Sequence, residues 1–80
     1  MDEDEEARFD AELILVGDKK ISVLKLVREV LSIGIEEAKA FIESVPRTLK
    51  RNISRDEGEA LERRFDAVGA YLVLRSSPRG

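Results

Sequence analysis

The sequence predicts a two-layer α+β domain in the order β-α-α-β-α-β, a small three-stranded antiparallel sheet with three helices on one face. Three observations lead there. Residues 9–16 alternate loosely and then become solidly apolar, as a strand buried on most of its surface does. Three later stretches repeat their apolar residues at helical spacing. Only three stretches read as strands, and a sheet that small is covered by helices on one side.

Composition narrows the function class. Eighty residues make one domain with a small core. There is no cysteine and no histidine, which removes disulfides, thiol nucleophiles, thiolate–imidazole metal sites and the commonest acid–base side chain. The longest apolar run near the start, Leu13-Ile14-Leu15-Val16, is far short of a signal-peptide core or a membrane span. A cytoplasmic, membrane-free protein is expected. The net charge of −3 hides an asymmetry, because residues 2–6 are all acids. Removing these five from the 17 acids leaves 12 against 14 lysines and arginines. Residues 1–8 read as a disordered acidic leader, residues 9–75 as the folded domain and residues 76–80 as a disordered tail. A leader folded back onto the basic face of the first helix would weaken binding there.

The elements follow in order. The strand at 9–16 is the most apolar and is placed in the middle of the sheet. Gly17-Asp18 makes a turn, with Asp18 as the expected cap of a helix over 20–31. On that helix Val23, Val27, Val30 and Leu31 share an arc, with Leu24 and Leu26 at its edges and Ser22, Lys25, Arg28 and Glu29 opposite. Ile21 breaks the pattern, since it falls on the polar face between Lys25 and Arg28, and Leu24 borders that face. Aliphatic side chains set among cations read as a docking surface. A second helix over 35–45 sets Ile35, Ala38, Phe41 and Ile42 on one face, carries Lys39 beside Ile35 at its rim, and stops before Pro46. Residues 47–53 form a short basic edge strand, where lysine and arginine discourage pairing with another sheet. Ser54-Arg55-Asp56-Glu57 is a capping box that opens a third helix, with Ala60, Leu61, Phe65 and Val68 inward and Gly69 just past its end. Gly58, inside this helix, has no reason visible in the sequence. A last strand covers 71–74.

The motifs within these elements resemble a known family. Lys20-Ile21-Ser22-Val23-Leu24-Lys25-Leu26-Val27-Arg28 is a basic-aliphatic helix. Ser32-Ile33-Gly34-Ile35-Glu36-Glu37-Ala38-Lys39 is a turn and helix start. Ile42-Glu43-Ser44-Val45-Pro46 and Ala67-Val68-Gly69-Ala70-Tyr71-Leu72 follow. As a set, over residues 9–75, they resemble the C-terminal domain of the bacterial ribosomal stalk protein, the acidic multi-copy protein of the large subunit. The resemblance implies the fold already derived and a non-enzymatic role with no cofactor: recruiting translational GTPases to the ribosome. It implies partner contacts at Lys20, Ile21, Leu24, Lys25, Arg28 and Lys39, with Gly34 and Ile35 shaping the adjacent turn. Cations would steer an acidic partner and the aliphatics would hold it at short range. A patch this small is expected to bind at roughly micromolar affinity or weaker.

Ser32 stands where the family has glycine and Glu36 where it has lysine. The family's N-terminal dimerisation region and hinge are not in this sequence, so a stand-alone, monomeric relative is expected. The alternative function is an adaptor using the same face for another acidic protein outside translation. The acidic leader, the 5% aromatic content and the lack of a recognised RNA-binding motif argue against direct nucleic-acid binding. The carboxylates at 36, 37, 43, 59, 62 and 66 fall on wet helical faces, with no histidine, phosphate loop or metal spacing to make them catalytic.

Overall fold

The computed structural model describes residues 7–77. Strand β1 (Phe9–Leu15), helices α1 (Lys20–Leu31) and α2 (Ile35–Glu43), strand β2 (Arg47–Ile53), helix α3 (Arg55–Ala67) and strand β3 (Tyr71–Ser76) follow in the expected order. The sheet is antiparallel with β1 central and β2 and β3 at its edges. The leader expected over 1–8 lies outside the described residues except for Ala7 and Arg8, and the tail expected over 76–80 except for Ser76 and Ser77. Ser76 belongs to β3, which pairs it with Phe9. The Ser77 N–H donates to the Arg8 carbonyl at 2.9 Å.

One side of β1 and all three helices share a single core. Ala11 and Leu13 are fully buried with Val23 and Val27 of α1, Ala38 and Phe41 of α2, and Leu61 and Phe65 of α3. Glu12 and Ile14 alternate to the other side and stay half-exposed. The strand is therefore less enclosed than its apolar run suggested. Two β1 residues, Ile14 and Leu15, oppose the single step from Leu72 to Tyr71, which is a β-bulge. A bulge re-aims side chains, and here Leu15 is left 61% exposed while Val16 is buried.

Two further irregularities lie between β1 and β2, where residues 9–11 face residues 53–50 and residues 11–12 face residues 50–48. The first of these contains Asn52 at φ +59°, a left-handed conformation that asparagine tolerates. Its N–H donates to Asp10 Oδ1 at 3.0 Å, and the Ser77 hydroxyl donates to the same oxygen. These bonds, the Ser77 hydroxyl first and the Asn52 amide second, with a smaller contribution from the Arg51 guanidinium, hold the Asp10 carboxyl below its usual value near 3.8. A carboxylate with a lowered native pKa stabilises the fold above its unfolded pKa, and that contribution vanishes as pH falls through the native value. Denaturant titrations from about pH 6 to about pH 2 should therefore show an acid loss of stability that Asp10→Asn flattens. Equal acid slopes in both proteins would refute this role.

Helix ends show where local chemistry prevails and where it does not. Asp18 does not cap α1: the N-cap is Lys19, with no side-chain cap bond. At the other end Ser32 sits at φ +55° and its N–H bonds the Arg28 carbonyl, so a serine occupies the left-handed position that favours glycine. Ser32→Gly is expected to stabilise the domain by about 0.5–1 kcal/mol and to raise Tm by roughly 4 °C. A lower Tm in the variant would count against this reading. Helix α2 ends at Glu43, two residues short of the expected end, because Ser44 turns its hydroxyl onto the Phe41 carbonyl at 2.9 Å. The peptide bond before Pro46 is cis.

In α3 only half of the expected capping box forms. The Glu57 N–H donates to Ser54 Oγ at 3.1 Å, but the Glu57 carboxylate takes Lys50 of β2 at 3.0 Å instead of reaching back. Past the helix end Gly69, at φ +78°, donates to the Asp66 carbonyl and Ala70 to Phe65, the paired bonds of a Schellman motif. Gly58 is buried, and a Cβ there would lie 2.9 Å from both methyls of Leu74. The glycine lets α3 sit close on β3.

Candidate functional site

Helices α1 and α2 form an antiparallel hairpin with an open groove of about 670 Å³ between them. Leu24 and Ile42 line it from the two helices, and Val16, Gly17 and Val45 line it from the flanking loops. Ile21 and Ile35 stand at the groove with 67% and 55% exposure. Lys20, Lys39 and Glu43 complete the lining. An apolar channel with exposed isoleucines and cations at its rim has the make-up of a recognition surface. Among the described residues no group of three or more His, Cys, Asp or Glu side chains could hold a metal ion.

Leu24 is not the exposed aliphatic that the helical wheel suggested. It is only 8% exposed and belongs to the core. The wheel placed it at the edge of the apolar arc, and α2 covers that edge. It lines the groove from the core side while Ile21 lines it exposed.

The expected site residues divide into two sets. Lys20, Ile21, Leu24, Ile35 and Lys39 come together in the groove. Lys25 lines a separate cleft of about 380 Å³ between α1 and α3, beside the ion pair of Arg64 with Glu29 at 2.6 Å. Arg28 lies one turn beyond Leu24 on α1 and is exposed. Gly34 adopts an extended conformation that any residue accepts, and its N–H reaches Glu37 Oε1 at 3.3 Å. The conformational demand of the turn falls on Ser32 instead. Sequence reading assigned Ile42 to the core and passed over Val16, Val45 and Glu43. Their common location becomes visible only when β1 and α2 end at the same place.

Charge pairing separates the cations. Lys50, Arg51, Arg64 and Arg75 each face a carboxylate. Arg47 lies over the ring of Phe41 and Arg55 over that of Phe9. Among the described residues Lys20, Lys25, Arg28 and Lys39 have no such partner, and neither do Arg8, Lys19 and Arg63, which do not line the groove. Their fields are therefore open to an incoming acidic surface.

Residues 9–75 match the ribosomal protein L7/L12 C-terminal domain. The chain belongs to this family. A large ribosomal subunit protein bL12 from Borreliella afzelii (strain PKo) is 42% identical over 74 residues, covering 92% of this chain and 60% of the relative. The bL12 protein of Clostridium botulinum (strain Langeland) is 42% identical over 72 residues, covering 90% of this chain and 59% of the relative. The chain thus spans about 60% of the length of these relatives, and the family is one of ribosomal proteins, not enzymes. In this L7/L12-type domain, every groove residue except Val16 and Gly17 falls inside the first three sequence motifs noted above.

Proposed function

We propose that this domain is a protein-binding module of translation, which docks the acidic surface of translational GTPases in the α1–α2 groove as a ribosomal stalk C-terminal domain in the cytoplasm. The observation that carries the reading is the pair of lysines, Lys20 and Lys39, without an ion-pair partner among the described residues and beside the exposed Ile21 and Ile35. The lysines supply attraction over about a screening length, roughly 8–10 Å at physiological salt. The isoleucines supply apolar contact once the surfaces meet. Membership in the L7/L12 family supports the choice of partner.

The test is an NMR titration of the labelled domain with a translational GTPase in its GTP-like state. Amide shifts are expected at Ile21, Leu24, Ile35 and Lys39, with exchange fast enough to follow peaks continuously. Arg28, at the end of the same helix face, is expected to shift less. A titration that leaves the groove amides in place would overturn the proposal. If an acidic protein of another kind moved the same amides while the GTPases did not, the adaptor reading would replace it. Glu36, a carboxylate beside Ile35 where the family has lysine, is the feature that favours the second reading.

A further inference from the structure

One acid stands among the residues that line the groove. Glu43 lines it from the end of α2, where Lys20 and Lys39 supply the cations. Elsewhere Glu12, Glu29 and Glu57 each hold a cation, and Glu37 accepts the Gly34 N–H. No ion pair joins Glu43 to Lys20 or Lys39, although Lys39 stands one turn earlier on the same helix. A lysine four residues before its glutamate is the less favourable order for pairing. Glu43 is exposed and is the last residue of α2, whose last turn carries no base. An acid there stands at the negative end of the helix dipole. A charge set against its own helix, with no compensating partner, is a local conflict of the kind found at functional sites.

We propose that Glu43 is a specificity-determining residue of the groove, and that it receives a lysine or arginine set among the acids of the docked surface. The inference rests on the reading of the groove as a docking site. A cation brought to Glu43 meets two sources of negative potential, the carboxylate and the C-terminal end of α2. What disfavours Glu43 in the free domain therefore favours the contact. The lining calls for a mixed surface, with acids facing Lys20 and Lys39 and one base facing Glu43. Two lysines alone would accept any acidic face. Glu43 narrows the choice, because a uniformly acidic face is repelled at the end of α2.

The experiment measures the affinity of the full chain and its variants for a translational GTPase in its GTP-like state. Glu43→Gln is expected to weaken binding about 3- to 5-fold. It should also raise Tm by roughly 2–4 °C, because the charge opposing the α2 dipole is gone. Glu43→Lys should weaken binding further. The sign of the effect is decisive, since an acid that merely repelled an acidic partner would give tighter binding when neutralised. Tighter or unchanged binding in Glu43→Gln, with Lys39→Gln weakened, would overturn this inference and leave the docking reading standing. If neither variant changed the affinity, the docking reading would fall with it. A lower Tm in Glu43→Gln would assign the side chain to holding the helix end and would also overturn the inference.

Discussion

Exchanging Lys20 and Lys39 for glutamate in one chain is expected to weaken binding to a translational GTPase by about 100-fold or more, while Tm moves by no more than about 3 °C. Both lysines line the groove, both are exposed, and neither has an ion-pair partner among the described residues. Removing them costs the fold little, because exposed charges far from a network contribute little to stability. Reversing them replaces attraction with repulsion at the two sites where an acidic partner would approach. The loss should fall mainly on the association rate and shrink as salt rises. Two aliphatic variants complete the comparison. Ile21→Ala should weaken binding with little change in Tm. Leu24→Ala should remove about 2–5 kcal/mol of stability, since it empties a core position. A double lysine variant that unfolds, or one that binds as well as the parent, would refute the docking reading.

Gly17→Ala is the second large effect, and it acts on the fold. Gly17 has φ +78°, and a Cβ there would lie 2.4 Å from the Gly69 carbonyl oxygen. No real Cβ approaches a backbone atom so closely, and neither turn can give way without moving a strand. The expected cost is about 3 kcal/mol or more, combining left-handed strain with the displaced contact. Domains of this length carry roughly 4–12 kcal/mol in total, so Tm should fall by roughly 15 °C. Gly69→Ala provides the control, because Gly69 shares the same φ but nothing lies within 4 Å of its Cβ position. Its cost should be near 1 kcal/mol. Equal losses at the two glycines would show that backbone strain alone matters and that the contact between the turns does not.

How much of this could be read from residues alone depends on what decides each feature. The element order was legible because apolar spacing differs between strand and helix over six to thirteen residues. The α3 ends were legible because Ser54 and Gly69 act through bonds to residues three to five away. Asp18 failed as a cap because Lys19 takes that position with no side-chain bond. The three register shifts escaped notice, since the mismatches at Leu15, at Asn52 and between Lys50 and Thr48 exist only between two strands. The site was half legible for the same reason. A wheel sees one helix, so it found Ile21 among cations but could not see α2 covering Leu24. Nor could it separate the groove at Lys20 from the α3 cleft at Lys25.

The hydrogen bond from Ser77 to the Arg8 carbonyl brings the two ends of the described chain side by side. They meet at the start of the central strand, the opposite end of β1 from Val16 and Gly17, where the docking channel opens. The domain therefore has a natural handle: whatever is fused there, by either terminus or by both, points away from the working surface. A circularly permuted version, with Arg8 and Ser77 joined by a short glycine bridge and new ends opened elsewhere, should fold and keep its channel, because that joint carries none of it.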